Sequence, residues 1–117
     1  MRPMLILILA VLAVPLSVSA QSINWVQYIN LTNKGNIAHG VCLFGDYIAV
    51  VGSANFKGFV VLLDKATGEV IKTWVGEYGW FYNCFSVGDR LYVVDNRAIY
   101  VFDRDLNVVM KRVETNW

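Results

Sequence analysis

Two seven-residue stretches decide the fold of this chain: Gly45–Val51, with the sequence GDYIAVV, and Gly88–Val94, with the sequence GDRLYVV. Each begins with a Gly-Asp pair and ends with two valines, and the second copy starts 43 residues after the first, at 88 against 45. Gly-Asp is a two-residue hairpin signal, because glycine accepts the positive φ that the first turn position needs. The apolar run after each pair therefore predicts a strand that follows a tight turn.

The likeness between the two copies continues downstream at an offset of 39 residues, from 61 to 100. The matching segments are Val61–Lys65 with Tyr100–Arg104 and Val70–Lys72 with Val109–Lys111. The difference of four residues is predicted to lie in one loop, long at Gly52–Gly58 in the first copy and tight at Asp95–Arg97 in the second. Repeated units tolerate a length change of this kind in a loop. The chain therefore contains one structural unit twice.

Each copy predicts four strands, bounded by turn residues. They are Gly40–Phe44, Tyr47–Gly52, Phe59–Asp64 and Val70–Val75 in repeat 1 (about 40–75), then Asn83–Val87, Leu91–Asp95, Ala98–Asp103 and Val108–Val113 in repeat 2 (about 83–113). The second and third strands of each copy are nearly continuous apolar runs, which predicts burial on both faces and stacked sheets. Ile23–Ile29 predicts one further strand ahead of repeat 1. In the last turn of each copy, Gly68 and Asn107 occupy the same place and are predicted to be left-handed.

A unit of four strands with a period of 40–45 residues is typical of a propeller blade. The fold class predicted is all-β: two four-stranded antiparallel propeller-type blades, an incomplete propeller. Closed propellers have about four to eight blades, so two blades do not close a ring. The alternatives are a truncated longer propeller, assembly with further copies or a partner, and an open stack of two sheets.

The residues Val41–Val113 resemble the repeats of secreted β-propellers of the quinoprotein-like and YVTN-type superfamily. The likeness lies in the Gly-Asp-x-x-x-Val-Val stretches and in the turn of the form Asp-x-x-Thr-Gly, formed here by Asp64, Thr67 and Gly68. Quinoprotein repeats carry a Trp four residues after that glycine, where this chain has Lys72. The resemblance implies the blade fold. It does not imply an activity, because one fold hosts many functions.

The first 20 residues predict a signal peptide. Arg2 supplies the positive start, an apolar run from Met4 to Val14 follows, and Val18 and Ala20 are small residues at the expected cleavage positions. The run is too short for a helix across a hydrocarbon core of about 30 Å. We expect residues 1–20 to be removed and 21–117 to form one two-blade domain that is secreted or displayed at the cell surface, with membrane attachment only if the segment is not cleaved.

Charge argues against a nucleic-acid partner. Loss of Arg2 from the ten basic residues leaves nine, against nine acidic residues, so the mature chain is formally neutral. The basic residues are scattered singly apart from Lys111 and Arg112, whereas a nucleic-acid binder shows a basic stripe or face. Near-neutral charge also favours self-association.

Cys42 and Cys84 lie at equivalent first-strand positions, and they are the only cysteines. In an exported chain an even number of cysteines suggests a disulfide between the blades, and two buried thiols acting as apolar core residues are the alternative. The single histidine, His39, lies three residues before Cys42, which on a strand places the two side chains on opposite faces. No metal site, cofactor or catalytic residue is predicted.

Two further features are candidates for function. The aromatic stretch from Trp74 to Tyr82 predicts a binding surface between the blades, or else rings that belong to the core. The residues of the predicted surface are Trp74, Tyr78, Trp80, Phe81 and Tyr82. Asn30-Leu31-Thr32 is a sequon that predicts glycosylation of Asn30 in an exported chain.

These observations favour an exported, non-catalytic propeller-type module with a protein partner or self-association, and not an enzyme. The alternatives are a carbohydrate-binding protein that uses the aromatic stretch, and a propeller fragment without independent function. An enzyme of quinoprotein descent is disfavoured, because it needs a closed ring and the missing Trp.

Overall fold

The computed structural model describes residues 24–32 and 35–113. Every regular element in these ranges is a β-strand. The strands are β1 (Asn36–Phe44), β2 (Tyr47–Ala54), β3 (Lys57–Asp64), β4 (Val70–Tyr78), β5 (Asn83–Val87), β6 (Arg90–Val94), β7 (Ala98–Phe102) and β8 (Val108–Val113). The predicted signal peptide and its cleavage point lie outside the described residues.

The eight strands form two sheets that follow one another along the chain. Strands β1–β4 make the first sheet, blade 1, and β5–β8 make the second, blade 2; in both, neighbours in sequence are neighbours in the sheet. All six pairings are antiparallel. The prediction of an all-β chain with two four-stranded antiparallel blades is confirmed.

The two Gly-Asp pairs form the turns that the sequence predicts. Gly45 and Gly88 have φ values of 59° and 58°, between β1 and β2 and between β5 and β6. This left-handed conformation costs glycine little, since it has no Cβ to clash with the following carbonyl.

The prediction that the extra four residues of the first copy lie in a long loop is wrong. Strand β2 runs to Ala54 and β3 begins at Lys57, and these two residues pair across a turn made only of Asn55 and Phe56. Blade 1 therefore has a longer central hairpin than blade 2, with eight residues in each strand against five. Ladder pairing satisfies backbone groups that an open loop would leave to water.

The last turn of each blade is organised by its opening aspartate. The carboxylate of Asp64 accepts backbone N–H bonds from Ala66 and Thr67, both at 2.9 Å. In blade 2, Asp103 accepts bonds from the backbone N–H groups of Asp105 and Asn107 at 2.9 Å. These are side-chain caps that replace missing backbone partners in the turn.

The left-handed residue of this turn is predicted correctly in blade 1 and wrongly in blade 2. Gly68 has φ 77°, but in blade 2 the conformation belongs to Leu106, with φ 57°, and not to Asn107. Leu106 is buried in the core between the sheets, and this burial offsets the backbone cost. Asn107 instead donates its side-chain amide to Asp103 at 3.1 Å.

The main core lies between the two blades. It combines residues from one face of each sheet with Phe81 from the connection between them. Its largest members are Phe44, Phe81, Phe102, Leu62, Leu91, Val51, Val60 and Val93, all 0–2% exposed. A fully buried side chain of this size stabilises the fold by roughly 1.5–3 kcal/mol, so this layer is the principal source of stability.

Two specific bonds join the neighbouring first strands of the blades, β1 and β5. Cys42 and Cys84 form a disulfide with a Cα–Cα distance of 5.9 Å. The hydroxyl of Ser86 donates to the backbone carbonyl of Leu43 at 2.7 Å. The cysteines are therefore joined in a disulfide, and the alternative of two buried free thiols is wrong.

Residues 24–30 do not form the predicted strand; Ile23 lies outside the described residues. The segment instead lays Trp25, Ile29 and Leu31 on the outer face of blade 1, against a second apolar cluster that includes Phe59 and Leu63. Its fixed polar contacts to the blade come from side chains: the indole N–H of Trp25 donates to the carbonyl of Lys65 at 3.2 Å. Because side-chain burial anchors the segment, it needs no ladder pairing.

The bridge predicts a large redox dependence of stability. It closes a loop with a sequence separation of 42 residues, which corresponds to about 4 kcal/mol on the chain-entropy model. Reductant is expected to lower the free energy of unfolding by about this amount, measured by urea denaturation. The Cys42→Ala/Cys84→Ala variant should match the reduced protein and be indifferent to reductant; equal stability of the oxidised and reduced proteins would contradict the prediction.

The aspartate turns predict a loss of stability in acid. The backbone N–H of Thr67 lowers the pKa of Asp64, and that of Asn107 lowers the pKa of Asp103. A carboxyl whose pKa is lower in the folded state stabilises the fold above its unfolded pKa and loses that contribution as the pH falls through the folded pKa. Thermal unfolding should therefore show stability falling below the ordinary carboxyl pKa of 3.8. The Asp64→Asn/Asp103→Asn variant should be less stable at neutral pH and show a shallower acid decline; an unchanged acid slope would refute the assignment.

Candidate binding surfaces

The five aromatic residues of the predicted surface separate into two groups. Phe81 is 2% exposed, and the indole of Trp74 stacks on it with ring centroids 5.8 Å apart. Trp74 also meets Phe102 edge to face at 5.0 Å. Gly76 makes room for this indole, because a Cβ there would collide with the ring. Trp74 and Phe81 therefore belong to the core between the blades.

Tyr78, Trp80 and Tyr82 lie at the surface, where two residues outside the predicted set join them. His39 stacks on Trp80 at 5.7 Å and lies 5.7 Å from Tyr82. Phe56, at the tip of the long hairpin, lies 6.3 Å from Trp80. Offset and tilted pairs of this kind lie in the distance range of favourable ring contacts.

Four of these rings, those of Phe56, Tyr78, Trp80 and Tyr82, line a cavity of about 460 Å³ that we call the aromatic groove. Its lining is Phe56, Tyr78, Gly79, Trp80, Tyr82, Asp95, Asn96 and Arg97. A second cavity of about 290 Å³ shares Phe56 and Trp80 and adds Gly35, Ile37, Ser53 and Asn55. The two cavities are therefore neighbours beside the long hairpin, with Phe56 and Trp80 in the lining of both.

The polar side of the groove is a tight turn between β6 and β7. The Oδ1 atom of Asp95 accepts backbone N–H bonds from Arg97 at 2.7 Å and Ala98 at 2.6 Å. The backbone N–H of Gly79 donates to the carbonyl of Phe56 at 3.0 Å and ties the groove floor to the hairpin. Hydrogen bonds within the chain therefore fix both the turn and the hairpin tip that line the groove.

Sequence reasoning missed Phe56 and the turn Asp95–Arg97 as parts of this groove. Because Gly52–Gly58 was interpreted as a long loop, the pairing of Ala54 with Lys57, which places Phe56 at the tip of a hairpin, was not predicted. Asp95–Arg97 was predicted only as a tight turn, and its neighbouring sequence does not show that it lines the same cavity as Trp80.

The outer face of blade 2 is a second candidate surface, which we call the bare face. Alternation along the strands places on it Phe85, Val87, Tyr92, Val94, Ile99, Val101 and Met110. Phe85 and Tyr92 stack at 4.9 Å, while Met110 remains 58% exposed and Ile99 45% exposed. No segment within residues 24–32 and 35–113 covers this face, in contrast to the outer face of blade 1.

The remaining predicted site residues lie apart from both surfaces. Asn30 is exposed, and its side-chain oxygen accepts a bond from the amide of Asn36 at 3.2 Å; glycosylation there stays a prediction. Cys42 and Cys84 lie between the blades and carry no free thiol.

Two four-stranded antiparallel sheets, each a meander and stacked face to face in chain order, define blades of the β-propeller class. The fold is similar to that of BamB from Moraxella catarrhalis, with a TM-score of 0.57 and 16% sequence identity. That structure is a β-propeller of the quinoprotein-like fold, as the resemblance in the repeats implied. The match covers 69% of this chain and 26% of that chain, so this chain spans about a quarter of it.

The other comparisons give no relative: no protein-family model matches the chain, and neither does any curated protein. In the part of the chain that the structure describes, there is also no helix with the length and hydropathy needed to cross a membrane.

The separation of the aromatic residues predicts opposite behaviour of two tryptophans. Trp74→Ala should lower the free energy of unfolding by about 3 kcal/mol or more, because it opens a cavity among Phe81 and Phe102. Trp80→Ala should cost about 1 kcal/mol or less, since the rings that it meets, those of His39 and Phe56, are themselves exposed. Urea denaturation of both variants measures the difference, and equal losses would show that Trp80 too is a core residue.

Proposed function

We propose that this chain is an exported, non-catalytic propeller-type interaction module whose bare face binds a second copy of the chain. The observation that carries the proposal is the pair of stacked rings, Phe85 and Tyr92, on an apolar sheet face that has no cover among the described residues. An exposed apolar patch bounded by polar residues is typical of a protein interface.

The repeat supports a sheet as the occupant of this face. Tyr92 and Val101 on the bare face correspond to Ala49 and Leu62 in the first copy, by the offsets of 43 and 39. In blade 1, that equivalent face is the one on which blade 2 packs. The bare face is therefore the counterpart of a blade-receiving surface, and an apolar sheet is its complement.

The covering of blade 1 supports a closed pair of copies. Trp25, Ile29 and Leu31 pack on the outer face of blade 1, where Val41 on β1 stays exposed. The bare face is the blade face that has no such covering segment among the described residues. Two copies that meet through the same face form an isologous dimer, which closes and does not extend into a filament. The formal neutrality of residues 21–117 adds little repulsion between the copies.

The non-catalytic part of the proposal rests on the chemistry of two residues. The sulfur of Cys42 is held in the bridge to Cys84 and cannot act as a nucleophile. The ring of His39 is engaged with Trp80 and Tyr82. Export is supported by the signal pattern of residues 1–20 together with the disulfide, since such bonds persist in oxidising compartments.

The dimer is tested by the solution mass of the full chain, expressed with its leader and purified as processed. Light scattering over a range of concentrations should give twice the chain mass. Ile99→Lys/Met110→Lys should give a folded monomer, because both side chains are exposed on the bare face. Its melting temperature should fall only by the concentration-dependent contribution of association.

Val41→Lys is the matched control. Val41 is 63% exposed on β1, at the outer face of blade 1, and its charge should leave the dimer intact. A monomeric wild-type protein, or a dimer that survives the double substitution, would overturn the proposal. Loss of the dimer in Val41→Lys would instead show head-to-tail association.

A further inference from the structure

The turn at the tip of the long hairpin carries a bulky side chain where the backbone favours glycine. Asn55 and Phe56 have φ values of 50° and 64°, the pattern of a type I′ turn, in which Asn-Gly is the preferred pair. A left-handed conformation at a bulky residue is an outlier that carries a steric cost. The ring does not repay this cost by burial, since Phe56 is 58% exposed.

The strained turn holds the Phe56 ring at the junction of the two cavities. The ring lies 6.3 Å from Trp80 at an angle of 43°, and both residues line both cavities. The bond from the N–H of Gly79 to the carbonyl of Phe56 fixes the turn over the groove floor. Strain at a residue that lines a cavity points to a binding role for its side chain.

The groove lining also supplies hydrogen-bonding groups, whose formal charges sum to zero. The groove lining contains one carboxylate, Asp95, and one guanidinium, Arg97, with the amide of Asn96 between them. The turn uses the Oδ1 atom of Asp95. The Oδ2 atom lies beside Gly79, 3.3 Å from where a Cβ would lie if this residue had one. This atom can accept a bond from a ligand hydroxyl, and Arg97 can donate one.

We propose that the aromatic groove binds a neutral carbohydrate chain. A sugar ring has an apolar C–H face, which packs on aromatic rings, and hydroxyl groups around its edge, which need donors and acceptors. The groove lining offers both kinds of surface, and its one negative and one positive side chain favour a neutral ligand over an ionic one. Since the two cavities share Phe56 and Trp80, the ligand is an extended chain and not a single sugar.

The direct test is a titration of the full, processed protein with five linear neutral hexasaccharides: cellohexaose, chitohexaose, maltohexaose, xylohexaose and mannohexaose. The readout is the NMR signal of the Trp80 indole N–H, assigned by its loss in Trp80→Ala. At least one hexasaccharide should shift this signal in a saturable manner. Isothermal titration calorimetry, which does not depend on that signal, should show that Trp80→Ala and Phe56→Gly each weaken binding by about tenfold or more, the loss of one ring contact of roughly 1.4 kcal/mol.

Phe56→Gly separates binding from folding. Glycine relieves the left-handed strain, so this variant should melt at the wild-type temperature or above it while it loses affinity. Ile99→Lys/Met110→Lys, which lies on the bare face, should bind the hexasaccharide as the wild type does. The carbohydrate proposal and the dimer proposal are therefore tested independently, and either can be refuted while the other is supported.

Three outcomes would overturn the proposal. One is the absence of a saturable shift with all five hexasaccharides. Another is binding that Phe56→Gly and Trp80→Ala leave unchanged. The third is a proline-rich peptide that shifts the Trp80 signal where the hexasaccharides do not, because extended peptides also dock on aromatic-lined grooves.

Discussion

Sheets whose central strands are apolar on both sides must be covered on both faces, and this requirement governs the whole molecule. The six central residues of β3, from Gly58 to Leu63, are all buried, so blade 1 needs a layer on each side. Blade 2 supplies one layer through Phe102 and Leu91, and the segment with Trp25 supplies the other. The same requirement leaves blade 2 incomplete, because only one of its faces has a covering layer among the described residues.

Local pattern predicted the blades well because their signals are short-range. The Gly-Asp turns, the apolar runs and the repeat placed all eight strands, with ends differing by up to four residues. The errors arose where a tertiary contact decided the outcome. Burial of Leu106 in the core moved the left-handed residue away from Asn107. Likewise, Trp25 and Ile29 pack on the outer face of blade 1, and the segment that carries them does not form the predicted extra strand.

The candidate sites were less predictable, since they combine residues distant in sequence. An aromatic stretch does not show which of its rings turn inward. Trp74 is a core residue because it packs on Phe102, whereas Trp80 lies at the surface beside Phe56. The groove needs the tip of one blade's hairpin, the connection between blades and a turn of the other blade. No window of sequence contains all three, so the site becomes visible only when the sheets are stacked.

The bridge between β1 and β5 also bears on how the chain folds. Hairpins within each blade are local, whereas the contact between the blades joins positions 42 residues apart and carries a larger loop-closure cost. Once the bond has formed, the two first strands stay neighbours even in the unfolded chain, and that cost is removed from every later refolding. A chain that unfolds after oxidation would therefore regain its stacked blades faster than the newly made, reduced chain acquires them.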